Sequence, residues 1–366
     1  MSSRALIATA AVALLVGFAL IDCAAAEKKA DSAARKEGAT QRIRPPRQPA
    51  RGAGSSDYPH ARVEKILREK GSDGYWLFLP AAPVPAEAPV ILFLHGTRAL
   101  NPYDYGGWIE HLVRRGNVVI YPIFESAGLW QAKKEGNEIQ MERALKATKA
   151  AIEDVGKSST TRLRLDRFAI TGHSFGGGLT GQAAARAADY GLPEPRAAMP
   201  VQPGWKGDET MPLGALAKIP ASTLFLVIEG DTDQFAESRQ GLDMVKAATA
   251  VPWERKAFVR MLSDERDGVK LISDHAAPLS PRDDYGEPLT DKKIRRRAMA
   301  AALTGMRDGE EDALDFLGYW KLFDELCDAG FNGRAMESVL GTGDEAPLGE
   351  WSDGTKVKPM KVVRKP

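Results

Sequence analysis

The chain has 366 residues, of which 43% are hydrophobic and 7% aromatic, enough for a sizeable core in one large domain or two small ones. With 50 Lys and Arg against 49 Asp and Glu its formal charge is +1, so neither nucleic acid nor an anionic surface is expected as a partner.

The N-terminus departs from this even mixture. Arg4 precedes an apolar run from Ala5 to Ile21, and Ala24, Ala25 and Ala26 follow. A basic start, an apolar centre and a small-residue end make an export signal, cleaved after Ala26, which implies a periplasmic or secreted protein. Two alternatives share the segment. Leu20-Ile21-Asp22-Cys23 is similar to a lipoprotein box, with Asp22 where a small residue belongs. The apolar run, about 17 residues, also approaches the length of a membrane span. A membrane contact is expected only if the segment is retained or lipidated. Cleavage leaves Cys327 without a disulfide partner, and its setting reads as a buried position on an amphipathic helix.

Residues 27–56 hold one large apolar residue, Ile43, and eight basic against three acidic side chains. They read as a disordered basic linker, because so little apolar surface cannot offset the entropy of ordering. From residue 57 the pattern is globular. Strand-length apolar runs begin at Tyr75, Val90, Val118, Phe168, Ala197, Leu224 and Ala257. Several are continuous rather than alternating, as in a parallel sheet covered on both faces. Helical periodicity lies between them, around Trp108 and from Ile139 to Val155, where Thr148 is the one polar residue on an apolar stripe. The fold class is α/β, a doubly wound and mostly parallel sheet over 57–330. Extra C-terminal helices are expected at about 290–306 and 310–329, and residues 331–366 form an extension packed on the domain. Trp351-Ser352-Asp353-Gly354 reads as a turn anchored by an aromatic.

The chemistry centres on Gly172-His173-Ser174-Phe175-Gly176, set between an apolar strand and a small-residue helix. A serine on such a sharp turn is held out at the N-terminus of a helix, where backbone N–H groups favour an oxyanion. It needs a base. Of five histidines, His60 lies where the domain begins and His111 on the side of a helix expected to be exposed. His95 belongs to the loop after an early strand, and His173 is fixed in the turn itself. His275, in a loop after the last predicted strand, remains. The acid should fall between serine and histidine in this arrangement. Asp231 and Asp233 both follow the strand at Leu224, and Asp233 is favoured because Gly-x-x-Asp is the commoner spacing. The oxyanion donors expected are the backbone N–H groups of Phe175 and of Thr97, after Leu94-His95-Gly96.

With these motifs the chain resembles the α/β-hydrolase superfamily over about residues 60–330. Gly172 to Gly178 with Leu94-His95-Gly96 is most similar to the group of dienelactone hydrolases, chlorophyllases and polyester hydrolases. The resemblance implies a serine carboxylic-ester hydrolase that works through an acyl-enzyme without a cofactor. Serine replaces the cysteine nucleophile of true dienelactone hydrolases, and a single mature cysteine cannot form the C-terminal disulfide usual in secreted polyester hydrolases. Between Val201 and Leu224 there is no room for a large cap domain, and Trp205 is the candidate for lining a substrate pocket, with Trp130 behind it. A small or polymeric ester is the expected substrate. A peptidase or amidase on the same fold, and a non-catalytic envelope protein, are the alternatives. No His/Asp/Glu cluster has metal-ligand spacing, and the acidic run Asp308-Gly309-Glu310-Glu311-Asp312 lacks the calcium-loop pattern, so no metal is expected.

Overall fold

The computed structural model describes residues 42–69, 71–127, 135–204, 213–235, 240–288 and 307–365. The chain divides after Arg44, and the unit Pro45–Pro366 carries every element discussed below. In chain order these are β1 (Arg62–Arg68), β2 (Tyr75–Ala81), β3 (Glu87–Leu94), α1 (Gly106–Arg114), β4 (Val118–Pro122), α2 (Gly136–Ser158), β5 (Arg162–His173), α3 (Phe175–Arg186) and β6 (Ala197–Val201). They continue with β7 (Leu224–Gly230), α4 (Gln240–Ala247), β8 (Lys256–Met261), the hairpin β9 (Asp264–Arg266) and β10 (Val269–Leu271), α5 (Trp320–Phe331), α6 (Glu337–Leu340), β11 (Glu345–Ala346) and β12 (Met360–Val363). The signal segment 1–26, linker residues 27–41 and the helix expected at 290–306 lie outside the described residues.

A ten-stranded sheet runs in the order β1-β2-β4-β3-β5-β6-β7-β8-β12-β11. The central strands β4, β3, β5, β6, β7 and β8 are parallel, and antiparallel pairs close both edges. Every residue of β4, β6 and β7 is buried, as continuous apolar runs in a covered sheet require. On one face α2, α3 and α4 pack over Val90, Leu92, Phe168, Ile170 and Phe225. On α2 the buried stripe includes Thr148, whose hydroxyl donates to the Ala144 carbonyl at 2.6 Å and so carries its polar atom into the core satisfied. On the other face Trp108 of α1 meets Phe93 edge-on at 5.3 Å and Phe323 of α5 at 6.3 Å.

Three features differ from the sequence expectation. The linker does not extend to residue 56. The Gly54 N–H donates to Asp324 Oδ2 at 2.8 Å, Gln48 donates to the Gly54 carbonyl and the Tyr58 hydroxyl, and Arg115 donates to the Gly52 carbonyl. Polar ties to α1 and α5 replace the apolar burial this segment lacks. His111, expected to be exposed, is buried: its ring stacks on Trp320 at 4.8 Å, with one nitrogen at Tyr58 and the other at Asp324, both 3.0 Å. Finally, the extension 331–366 is not merely packed on the domain but supplies part of its sheet, with Val362 opposite Val259 of β8. The turn at Trp351 forms as expected; the Gly354 N–H donates to its carbonyl and its indole donates to Asp264.

The helical stretch expected at 310–329 begins with a π-helical turn, Asp315–Tyr319, and continues as α5. Burial pushes the Glu325 carboxyl up to about 7, with Asp324 and Asp328 adding to the shift and Lys321 opposing it. The unfolded carboxyl ionises first, so the stability this group contributes is full below about 4.5 and is lost as pH rises through 7. Glu325→Gln is therefore expected to raise stability by about 1–3 kcal/mol at pH 8 and to leave it unchanged at pH 4. Thermal unfolding at the two pH values measures this, and an equal shift at both would refute it.

Candidate active site

Strand β5 ends at His173, and α3 begins at Phe175. Ser174 between them has φ 57° and ψ −122°, a conformation costly for any residue with a Cβ. Neighbouring backbone holds it there: the Ser174 N–H donates to the Val201 carbonyl, and the N–H groups of Gly178 and Gly204 donate to the Ser174 carbonyl. The turn leaves no room beside it. A Cβ on Gly176 would lie 2.1 Å from the Leu94 carbonyl oxygen, and one on Gly172 would lie 2.5 Å from that of Gly176. The serine thus stands at the positive end of α3 on the C-terminal edge of the sheet.

His275 Nε2 lies 2.8 Å from Ser174 Oγ. On the far side of the ring, Nδ1 is 3.0 and 2.9 Å from the two carboxylate oxygens of Asp233. The Asp233 side chain is 1% exposed and that of His275 8%, so the pair works away from bulk water. Asp233 Oδ1 also accepts the Phe235 N–H at 2.8 Å, and the Phe235 ring packs 5.0 Å from the imidazole. Asp231, the other candidate acid, turns elsewhere: it is exposed and accepts from the Ser263 N–H and hydroxyl.

The loop carrying His275 is anchored from both sides. Arg307 donates through two nitrogens to the Asp274 carboxylate and also to the Ile272 carbonyl. The Ser273 carbonyl accepts the Thr232 N–H, which joins the histidine loop to the acid loop. That approach requires Gly230, where a Cβ would lie 1.9 Å from the Ser273 carbonyl oxygen.

The loop after β3 reaches the serine through Gly96, whose Cβ position would be 3.3 Å from Ser174 Cβ. Its amides are distributed unequally. The Gly96 N–H donates to the Tyr105 hydroxyl at 2.9 Å, and the Arg98 N–H to Glu125 Oε2 at 2.5 Å. Among the described residues nothing accepts from the Thr97 N–H between them. Phe175 directly follows the serine as the first residue of α3.

The other histidines are accounted for by packing. His95 stacks on Phe124 with ring centres 3.9 Å apart and donates from Nδ1 to the Gly96 carbonyl; burial pushes it down to about 4. His173 accepts at Nδ1 from the Tyr105 hydroxyl, 3.0 Å away, and its ring lies 4.7 Å from that of His275. Burial, with the neighbouring His275 charge, pushes it down to about 3, so it stays neutral across the working pH range. His60 bonds the Pro83 carbonyl.

Sequence reasoning missed the residues behind these groups. Tyr105 joins the Gly96 loop to His173, and Glu125 holds Arg98. Gln202, with φ 43°, donates to the Tyr319 hydroxyl at 2.9 Å. Burial raises the Tyr319 phenol well above its usual range, so it stays protonated. Trp205 and Trp130 lie outside the described residues, as does 205–212 in the stretch expected to be too short for a cap. Among the described residues no group of three His, Cys, Asp or Glu is arranged to hold a metal ion, and Cys327 is buried and unpaired with another cysteine.

Comparison with known proteins gives no match, either to a protein-family model or to a curated protein.

Proposed function

We propose that this chain is an exported serine hydrolase of the α/β-hydrolase type that cleaves carboxylic esters. The observation that carries the reading is the continuous line from Ser174 Oγ through the His275 ring to the buried Asp233 carboxylate. The order of the three residues along the chain, with Ser174 after β5, Asp233 after β7 and His275 after the hairpin β9–β10 that follows β8, supports the same reading. The export signal in residues 1–26 supports a location outside the cytoplasm.

In this mechanism Ser174 Oγ attacks the ester carbonyl carbon and its proton passes to His275 Nε2. Asp233 stabilises the imidazolium through Nδ1. The carbonyl oxygen gathers negative charge, which the Thr97 and Phe175 N–H groups receive. The carbon–oxygen bond to the alcohol breaks, and the alcohol leaves with the proton held by His275. Water then gives a proton to His275 and attacks the acyl-serine. The acid departs and Ser174 regains its hydrogen.

A fluorophosphonate probe is expected to label Ser174, and p-nitrophenyl esters of graded acyl length to be hydrolysed faster than peptide or anilide analogues. An unlabelled Ser174 would defeat the reading, and faster amide turnover would move it to the amidase class. N-terminal sequencing of the exported protein, expected to begin at Glu27, tests the location.

A further inference from the structure

We propose that Glu125 is a positioning residue that sets the direction of the Thr97 amide, an inference that rests on the serine-hydrolase reading above. Glu125 lies in the loop after β4 and is 4% exposed. Its Oε2 accepts the Arg98 N–H at 2.5 Å across 27 residues of chain. Arg98 has φ 69°, a left-handed conformation that costs a non-glycine residue on the order of 1 kcal/mol or more. The hydrogen bond from the Arg98 N–H to the Glu125 side-chain oxygen offsets that cost. The Arg98 guanidinium folds back onto the same loop, donating to the Ser126 and Ala127 carbonyls.

An alternative is that the contact merely satisfies an amide. Arg98 is exposed as a residue, however, and its N–H reaches inward to a carboxylate that is 4% exposed rather than outward to solvent. Burying a carboxylate for that purpose is expensive. Burial already raises the Glu125 carboxyl above its usual range. His95 does not repay the cost: its Nδ1 stays 4.0 Å from Oε2 and spends its hydrogen on the Gly96 carbonyl. What the contact does accomplish is geometric. The Gly96 carbonyl, in the same peptide as the Thr97 N–H, accepts from the Ala99 N–H and His95, while Tyr105 holds the peptide before it and Glu125 the peptide after it. A donor aimed in advance at the developing oxyanion acts without reorganisation, which is where such donors gain their effect.

The inference is tested by steady-state kinetics on the ester that wild type hydrolyses best. Glu125→Ala is expected to lower kcat about 10- to 100-fold with KM within about threefold, short of the loss that follows removal of a donor altogether. Glu125→Gln keeps an oxygen in the same place and is expected within about threefold of wild type. If the alanine variant does not fold, Glu125→Asp takes its place: it keeps the charge, falls one methylene short, and is expected to lose kcat. Wild-type kcat in both shortened variants overturns the proposal, and so does a glutamine variant as slow as they are. Ser174→Ala is measured alongside. More than a hundredth of wild-type activity in that variant defeats the assignment of Ser174 on which the inference rests, whereas a Ser174→Ala below that level with a fully active Glu125→Ala defeats only the role of Glu125.

Discussion

Ser174→Ala is expected to lower kcat for ester hydrolysis by about 100,000-fold or more, with little change in KM or in melting temperature. The magnitude follows from the proposed mechanism, in which no acyl-enzyme forms without Oγ, and nucleophile deletions in triad enzymes fall in this range. A residual rate above that in water is expected from the Thr97 and Phe175 amides, which can still polarise a bound ester toward attack by water. The small structural effect follows from the contacts. The strained backbone at Ser174 is held by the Val201, Gly178 and Gly204 peptides, none of which uses the side chain, and among the described residues Oγ hydrogen-bonds to His275. An alanine variant that kept more than a hundredth of the activity would mean that the nucleophile is another group.

Asp233→Asn is expected to cost roughly 10,000-fold in kcat, while Asp231→Asn stays within about threefold of wild type. An amide at position 233 matches the carboxylate in shape. It can turn its NH2 toward His275 Nδ1, which would then have to accept. The ring proton would move to Nε2, and the histidine could no longer take the serine proton. Even with its oxygen inward, a neutral amide stabilises the imidazolium poorly. No such effect is expected at Asp231, whose oxygens, among the described residues, accept from the Ser263 N–H and hydroxyl on the exposed side of the loop. Parallel kinetics on the two variants decide between the acids, and the reverse pattern would reassign the triad.

The two acids also mark what could be read in the sequence. Both follow the strand at Leu224, and only the fold of the His275 loop, drawn in against Gly230 and Thr232, selects one of them. Ser174 was legible because its demands are local: two glycines without room for a Cβ, a strand before and a helix after. Elimination among five histidines leaves His275, with His111 set aside as exposed, whereas it is buried. Both His111 nitrogens are engaged, by Tyr58 and Asp324. The central strands announced themselves by continuous apolar runs. β1, with its charged edge residues, and β12, with four residues, carry too little periodicity to be seen without the partners they pair with. Tyr105, Glu125, Gln202 and Tyr319 left no local signature. Each acts through a contact with a distant loop, which exists only once the sheet has assembled.

The docking of residues 45–58 onto α1 and α5 limits how far the domain could range if its N-terminus were kept in or on a membrane. Chain extends at most about 3.5 Å per residue, so a spacer from residue 27 to Pro45 spans no more than about 65 Å, against about 105 Å for one running to residue 56. An anchored form would then hold Pro45 within that shorter distance of the bilayer, whereas a released form would have no such boundary.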